Sequence, residues 1–488
     1  MPRSPSIFAV VTLIASLSAA DADHATAERG IKDRVVPGQS LQPAVVVVSE
    51  DPYTNPGTYH RTQVEPDSFA FGSTVVSVFQ SGRSYRCGAS NIGWSVSRDA
   101  GTTWTDGFLP STTPLSTPQG KWKRTTDPVV AYDAAHDTWL AQVLGIPSCP
   151  FAGGDVFVSR STDNGATFGE PVIIRRQRRT QGFDKNWIGC DNFPASPFYG
   201  TCYAAWDDTR RYGFLYGEGT WHPLIHAYRS TDGGLTWSKA ALPEDPCGVV
   251  NQIVVQPSGN VIIQSNDCSP RNQVFVSKDG GQTYRGPFRI STGRVRGAAG
   301  MLRSPNFISS DVDASGRIYT VWRDCTFRSF KGRDCTHNDL VMSTSDDGRR
   351  WSDFVRIPID PRASSVDHFL PALAVDPRTS GATAHVAIVY YFYPQQRCDE
   401  RTCDLSIGFT SSLDAGSTWS VQQLAGPFKN TWFPLTTSGY MVGDYIGISF
   451  VDGKAIPVFI VGSEGECELG DVTSCNVWTA SATIALAS

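Results

Sequence analysis

The chain has 488 residues, with 42 Lys and Arg against 47 Asp and Glu and a formal charge of −5. That near-balance excludes the basic excess of a nucleic-acid-binding protein. With 40% hydrophobic and 18% charged residues, the chain is not a disordered one either.

The remaining composition points to class. There are 45 Gly and 31 Pro, with 13 Trp, 16 Tyr and 25 Phe, which suits many short strands joined by turns. Twelve Cys against four Met indicate an oxidising compartment. At the N-terminus, Arg3 precedes an apolar run from Ile7 to Leu17 and the small residues Ser18-Ala19-Ala20. This reads as a signal peptide over 1–20, followed by a flexible segment over 21–42 and one domain over 43–488. No other stretch is apolar enough to span a membrane.

Further along, Ser/Thr-x-Asp-x-Gly-x-x-aromatic recurs six times. The copies run from Ser97 to Trp104, Ser161 to Phe168, Ser230 to Trp237, Ser277 to Tyr284, Thr344 to Trp351 (degenerate) and Ser412 to Trp419. The Asp carboxylate accepts backbone N–H groups within the turn, Gly supplies a positive φ, and the aromatic opens the next strand. These copies resemble the Asp-box, so the chain resembles the sialidase-like Asp-box β-propellers, a family in which the box is a folding element. The resemblance implies an all-β fold, a single β-propeller.

A strand precedes each copy and two more lie upstream, so each blade has about four strands, the box joining the third to the fourth. The count reads as seven blades, with the N-terminal run Ala44 to Val48 supplying the last strand of the last blade. Six blades with an appended hairpin is the alternative. Cysteines pair locally as Cys190/Cys202, Cys247/Cys268, Cys325/Cys335, Cys398/Cys403 and Cys467/Cys475, leaving Cys87 with Cys149. There is no CxxC and no His at ligand spacing, so neither a metal nor another cofactor is called for.

In a four-stranded meander the loop after strand two and the start of strand one share one end. The inner-strand starts therefore gather at one mouth: Glu65 and Asp67, Asp127, Asp184 and Lys185, Asn251, Arg303, His368, Asp444 and Tyr445. Second-strand ends add Arg83, Asp207 with Arg210, Asp267, Arg323 and Tyr393. Arginines bind carboxylates bidentately, and neighbouring carboxyls split into an acid and a base. The sialidase resemblance implies an arginine triad, a Tyr nucleophile helped by Glu, and an Asp acid. Carried onto this chain, Asp184 or Asp127 is the acid, Tyr445 or Tyr393 the nucleophile or its assistant, and Arg83, Arg303 and Arg323 hold a substrate carboxylate. Glu65, Asp67, Lys185, Asp207 and Asp444 complete the binding set. Arg356-Ile357-Pro358 resembles a sialidase motif but follows the fifth box rather than opening the first inner strand.

The preferred expectation is a secreted, exo-acting sialidase-like glycoside hydrolase on polar or anionic glycans. One alternative is a polysaccharide lyase in which His368 or a Tyr takes the proton beside a uronate carboxylate. The other is a propeller that binds a glycan or a protein without chemistry. The partner is a glycan or glycoconjugate in the first two cases.

Overall fold

A computed structural model describes residues 44–149, 154–178, 182–209, 222–266, 268, 271–328, 330–331, 334–395 and 397–486. The expected signal peptide and the segment 21–42 lie outside the described residues, as do Arg210 and Asp267. No helix among the described residues is long and apolar enough to cross a membrane.

The strands fold into antiparallel meanders of four, numbered here as blades in chain order: 63–108, 124–175, 183–239, 249–291, 309–356, 367–428, and 447–482 with Val45–Val47. Blades 1 and 2 share one eight-stranded sheet through the single pairing of Ala89 with Thr125. Val45–Val47 pairs antiparallel with Val477–Ala482 as the outermost strand of the last blade, so the two ends of the domain close one sheet. Central strands are buried on both faces, as in Thr74–Arg83 and Val386–Tyr393, and are accordingly rich in Val, Ile and aromatics. Outer strands are short or polar, such as the exposed Ser238–Lys239, which keeps sheet edges from pairing with other chains.

Seven apolar clusters fill the gaps between successive blades, including Val76, Trp94, Val130 and Trp139 between the first two. Val48, Val75, Trp104, Val451 and Ile456 fill the gap between the seventh and the first. The innermost strands pack in sequence, and Gln63–Phe71 of blade 1 meets Gly447–Val451 of blade 7, so the ring is closed. Polar side chains bridge neighbouring inner strands. Val130 N–H donates to Asp67 at 2.9 Å, Ile308 to Asn251 at 3.2 Å, Ser310 to Gln252 at 2.7 Å, Leu373 to Ser309 at 3.0 Å and Val375 to Asp311 at 2.9 Å. Each bridge satisfies a backbone donor that no ladder partner reaches.

The repeated turns join third strands to fourth strands. In the first, Ser97 Oγ donates to Asp99 Oδ1 at 2.8 Å, Thr103 N–H to the same oxygen at 2.8 Å, and Gly101 N–H to Ser97 Oγ at 2.8 Å. The same three bonds recur around Asp163, Asp232, Asp279 and Asp414. The fifth copy differs from the sequence frame. Its acceptor is Asp347, which takes Arg349 and Arg350 N–H at 2.8 Å, in a turn one residue shorter. Asp346 instead pairs with Arg317 at 2.8 Å.

All six cysteine pairs are formed: Cys87–Cys149, Cys190–Cys202, Cys247–Cys268, Cys325–Cys335, Cys398–Cys403 and Cys467–Cys475. All but Cys190–Cys202 lie at the end opposite the repeated turns, and Cys87–Cys149 ties blade 1 to blade 2.

Two sets of carboxyls oppose each other in acid. Thr418 N–H, the Thr418 hydroxyl and Ser412 hold Asp414 down at about 2. This contributes stability above pH ~4 that is lost as pH falls towards 2. Burial raises Asp51 and Asp311 to about 6 and Asp67 to about 7. Those groups favour the fold below pH ~4 and lose that contribution as pH rises through 6 to 7. Thermal unfolding followed from pH 2 to 8 is expected to give a maximum Tm between pH 4 and 6; a Tm still climbing at pH 8 contradicts it.

Candidate functional site

The inner strands do not run straight to the mouth. Five of them carry a β-bulge near their start, leaving Glu65-Pro66, Asp127-Pro128, Lys185-Asn186, Asn251 and Leu370-Pro371 without ladder partners. Glu65, Asp127, Lys185 and Leu370 sit at φ of 59°, 51°, 34° and 49°. Left-handed backbone is unfavourable for such residues, and a bulge of this kind re-aims a side chain. Proline removes the N–H that a regular ladder would need at three of the five. Blades 1 to 3 thereby deliver Glu65, Asp127 and Lys185 to the axis, with Asp184 beside them.

Lys185 is the centre of the cluster. It is buried, and among the described residues its Nζ has no hydrogen-bond partner. The ammonium lies 4.3 Å from the ring centre of Tyr445, 4.6 Å from Trp187 and 5.1 Å from Phe307. Burial lowers its pKa, and Asp127, Glu65, Asp444 and Asp207 oppose that shift. Glu65 is wholly buried, accepts from Gln80, and takes Asp444 N–H at 3.1 Å. Burial, then Asp127 and Asp444, push it well above the carboxylate range. Asp127 accepts from the Thr126 hydroxyl at 2.8 Å and is likewise raised by burial. Asp184, half-buried and opposite Asp207 in the sheet, is raised to about 7 by burial and then by Asp127. Asp207 is raised by burial and by Asp184.

Arg303 closes the opposite side. It grips Asp444 bidentately, with Nε to Oδ1 at 2.6 Å and Nη2 on Oδ2. Burial opposes its charge, but Asp444 outweighs burial and raises its pKa. Arg83 is buried, donates to Gly88 O and lies 3.2 Å from Met441 Sδ. Burial and then Arg303 lower it to about 10. Tyr445 donates to Pro128 O at 2.9 Å, and burial pushes its phenol well up. A narrow cavity of about 20 Å³ lies here, lined by Lys185, Asn251, Phe307, Asp444 and Tyr445. Trp187 is its floor and also the roof of a second cavity of about 310 Å³, which runs down the axis towards the repeated turns.

Three expected residues stand apart. His368 is a correction: the blade 6 bulge falls two residues later, at Leu370, so His368 packs away from the axis. Its Nδ1 is 3.4 Å from Asn338 O and its ring 5.5 Å from that of Tyr390. Burial lowers it to about 4. Asp339 and Asp360 flank it, and Arg328 and Arg356 neutralise both, with Asp339 at 2.6 and 2.7 Å. Tyr393 is the second correction, being buried with its hydroxyl on Asn430 Oδ1 at 3.0 Å. Arg323 is the third, since it holds Ser304 through its carbonyl and, at 3.0 Å, its hydroxyl. Arg303 is among the charges that act on Arg83, whereas the charge that acts on Arg323 is that of Asp367. Asp67 bridges to Val130 in the wall of the lower cavity while its charge still acts on Lys185 and Tyr445. Phe307, Arg328, Asp339 and Asp360 carry no signal in the sequence, and Arg356 stands out there only within Arg356-Ile357-Pro358. For the bulges the one signal was Xaa-Pro in the same frame of three inner strands.

A closed ring of antiparallel meanders with charged groups converging on its axis defines the class, a β-propeller. No family model and no curated protein matches the chain. Among solved structures it is similar to the Hadza microbial sialidase Hz136, at 15% identity over 94% of this chain and 95% of that one, TM-score 0.45. It is also similar to the α-L-arabinanase of Penicillium chrysogenum complexed with arabinobiose, at 11% identity over 92% and 99%, TM-score 0.44. The phage phi92 endosialidase gives 12% identity over 91% and 69%, TM-score 0.47.

Breaking the Arg303–Asp444 pair takes from a desolvated charge its bidentate partner. Asp444→Asn is expected to cost about 3 kcal/mol in urea unfolding. Arg303→Met added to Asp444→Asn is expected to cost little more, a coupling of ~2 kcal/mol. Additive losses contradict the pairing.

Proposed function

We propose that this protein is a secreted, carbohydrate-active glycoside hydrolase whose reaction takes place at the mouth, on a polar glycan. Asp184 is the general acid and Asp127 the carboxyl that works opposite it. The observation that carries this reading is Asp184 itself: half-buried beside Asp127 and Asp207, and raised to about 7. A carboxyl that stays protonated near neutrality has a proton to give a departing sugar oxygen, and its neighbours stay poised to share charge.

Tyr445 walls the site as a seat for Lys185. Its raised pKa and its bond to Pro128 leave it poorly suited to be a nucleophile. Arg303 orients Asp444 and presents its partly exposed edge to substrate hydroxyls. Six disulfides favour an extracellular setting. Hydrolysis is preferred to elimination because of the two bases a lyase reading offers, His368 is buried against Asn338, and Tyr445 has a raised phenol already bonded to Pro128. The narrow sialidase version, with three arginines on one carboxylate, lacks support because Arg323 is committed to Ser304.

A glycan panel digested with the protein and read by mass spectrometry is expected to give products each carrying one added water. Asp184→Asn is expected to lower kcat by ~10²–10⁴. In the native protein, activity is expected to fall as pH rises through about 7, where Asp184 ionises. Unsaturated products would mean elimination. Full activity in Asp184→Asn, or binding without turnover across the panel, would overturn the proposal.

A further inference from the structure

On the mouth side of blades 1 and 2 stand Arg86, Lys121, Lys123, Arg124 and Arg176. All are exposed except Arg124, which is half-buried. Two stretches of chain bring them together: 121–124, which leads into the inner strand of blade 2, and 175–178, which leaves its outer strand. Asp155 clamps the two. Its Oδ2 accepts from Trp122 Nε1 and from Arg176 Nη1, each at 3.1 Å, and its Oδ1 takes Gln177 N–H at 2.8 Å. The Trp122 ring stacks flat on Phe157 at 4.4 Å. The loop that bears Arg86 is fixed against this group by Cys87–Cys149 and by the pairing of Ala89 with Thr125.

Among the described residues no carboxylate pairs with Arg86, Lys121, Lys123 or Arg124, in a chain whose formal charge is −5. Like charges gathered on one face repel one another, and of the five only Arg176 is held by a carboxylate, that of Asp155. Arg124 and Asp127 lie three residues apart on one strand, about 10 Å at ~3.3 Å per residue. The arc therefore leads directly to the mouth. The carboxyl-rich mouth would repel an unbroken run of phosphates. It would accept an uncharged sugar of a chain that carries its charges at intervals.

We infer that this arc binds an anionic glycan, its carboxylates or sulfates pairing with Arg86, Lys121, Lys123, Arg124 and Arg176. The placing of a further sugar of that chain over Asp127 and Asp184 rests on the hydrolase reading of the mouth. Binding is measured with the full chain against a sulfated glycan, a polyuronate and a neutral glucan of equal length, in 0.05 and 0.5 M salt. The charged glycans are expected to bind about tenfold or more tightly than the glucan, and to weaken in the higher salt as screening shortens. Arg86→Glu/Lys121→Glu/Lys123→Glu, with its fold checked by circular dichroism, is expected to lose about tenfold or more in that affinity. Lys239→Glu, on the exposed outer strand of blade 3, is expected to keep it in full, and turnover is measured apart from binding so that failure of the mouth chemistry reads separately. The inference is overturned if the triple variant binds as the native chain does, if the glucan binds equally well, if Lys239→Glu loses as much affinity as the triple variant, or if single-stranded DNA binds more tightly than the glycans.

Discussion

A buried ammonium among buried carboxyls is the interaction on which the mouth depends. Taking a lysine out of water costs several kcal/mol unless other groups answer its charge. At Lys185 three aromatic faces and the carboxyls of Glu65, Asp127, Asp444 and Asp207 do so. The reverse also holds. Five carboxyls, counting Asp184, gather around three cations, Lys185, Arg83 and Arg303, so they cannot all ionise without excess negative charge in a poorly solvated place. The upward shifts of Glu65, Asp127, Asp184 and Asp207 are one response of one group of side chains. Proton-sharing of this kind gives a carboxyl that is still an acid near neutrality.

The ring makes that gathering possible. Each gap between blades is filled by its own apolar cluster, and inner strands too far apart for a ladder are bridged by Asp67, Asn251, Gln252, Ser309 and Asp311. With the inner strands fixed, the bulges at Glu65, Asp127 and Lys185 turn side chains from the sheet faces towards the axis. Trp187 then divides the axis, with the charged group above it and the larger cavity below. The reactive end is thus separated from the end formed by the repeated turns, whose hydrogen bonds are local and serve the hairpins.

What the sequence disclosed was what is local or periodic. The repeated turns are complete within eight residues, so their bonds and their place between third and fourth strands could be read directly. The shift in the fifth copy could not, because Asp346 and Asp347 are both carboxylates and only backbone geometry chooses between them. Five of the disulfides follow from short separations within blades, and Cys87–Cys149, 62 residues apart and between two blades, follows as the pair left over. The mouth was half legible. Glu65-Pro66 and Asp127-Pro128 mark the bulge, but so does Leu370-Pro371, and reading strand starts instead of bulges put His368 at the axis in place of Leu370. Arg83 and Arg323 end equivalent strands, yet one joins the charged group and the other holds Ser304. That difference arises from the path of the segment before blade 5, which carries no sequence period.

The central claim is that Lys185 and the surrounding carboxyls behave as one electrostatic unit. The most direct measurement is a carboxyl-carbon NMR titration of Asp127 in the native protein and in Lys185→Met. The account predicts that Asp127 titrates at distinctly higher pH once the ammonium is gone, because Lys185 is the charge that most strongly holds it down. An Asp127 titration left unchanged would contradict it.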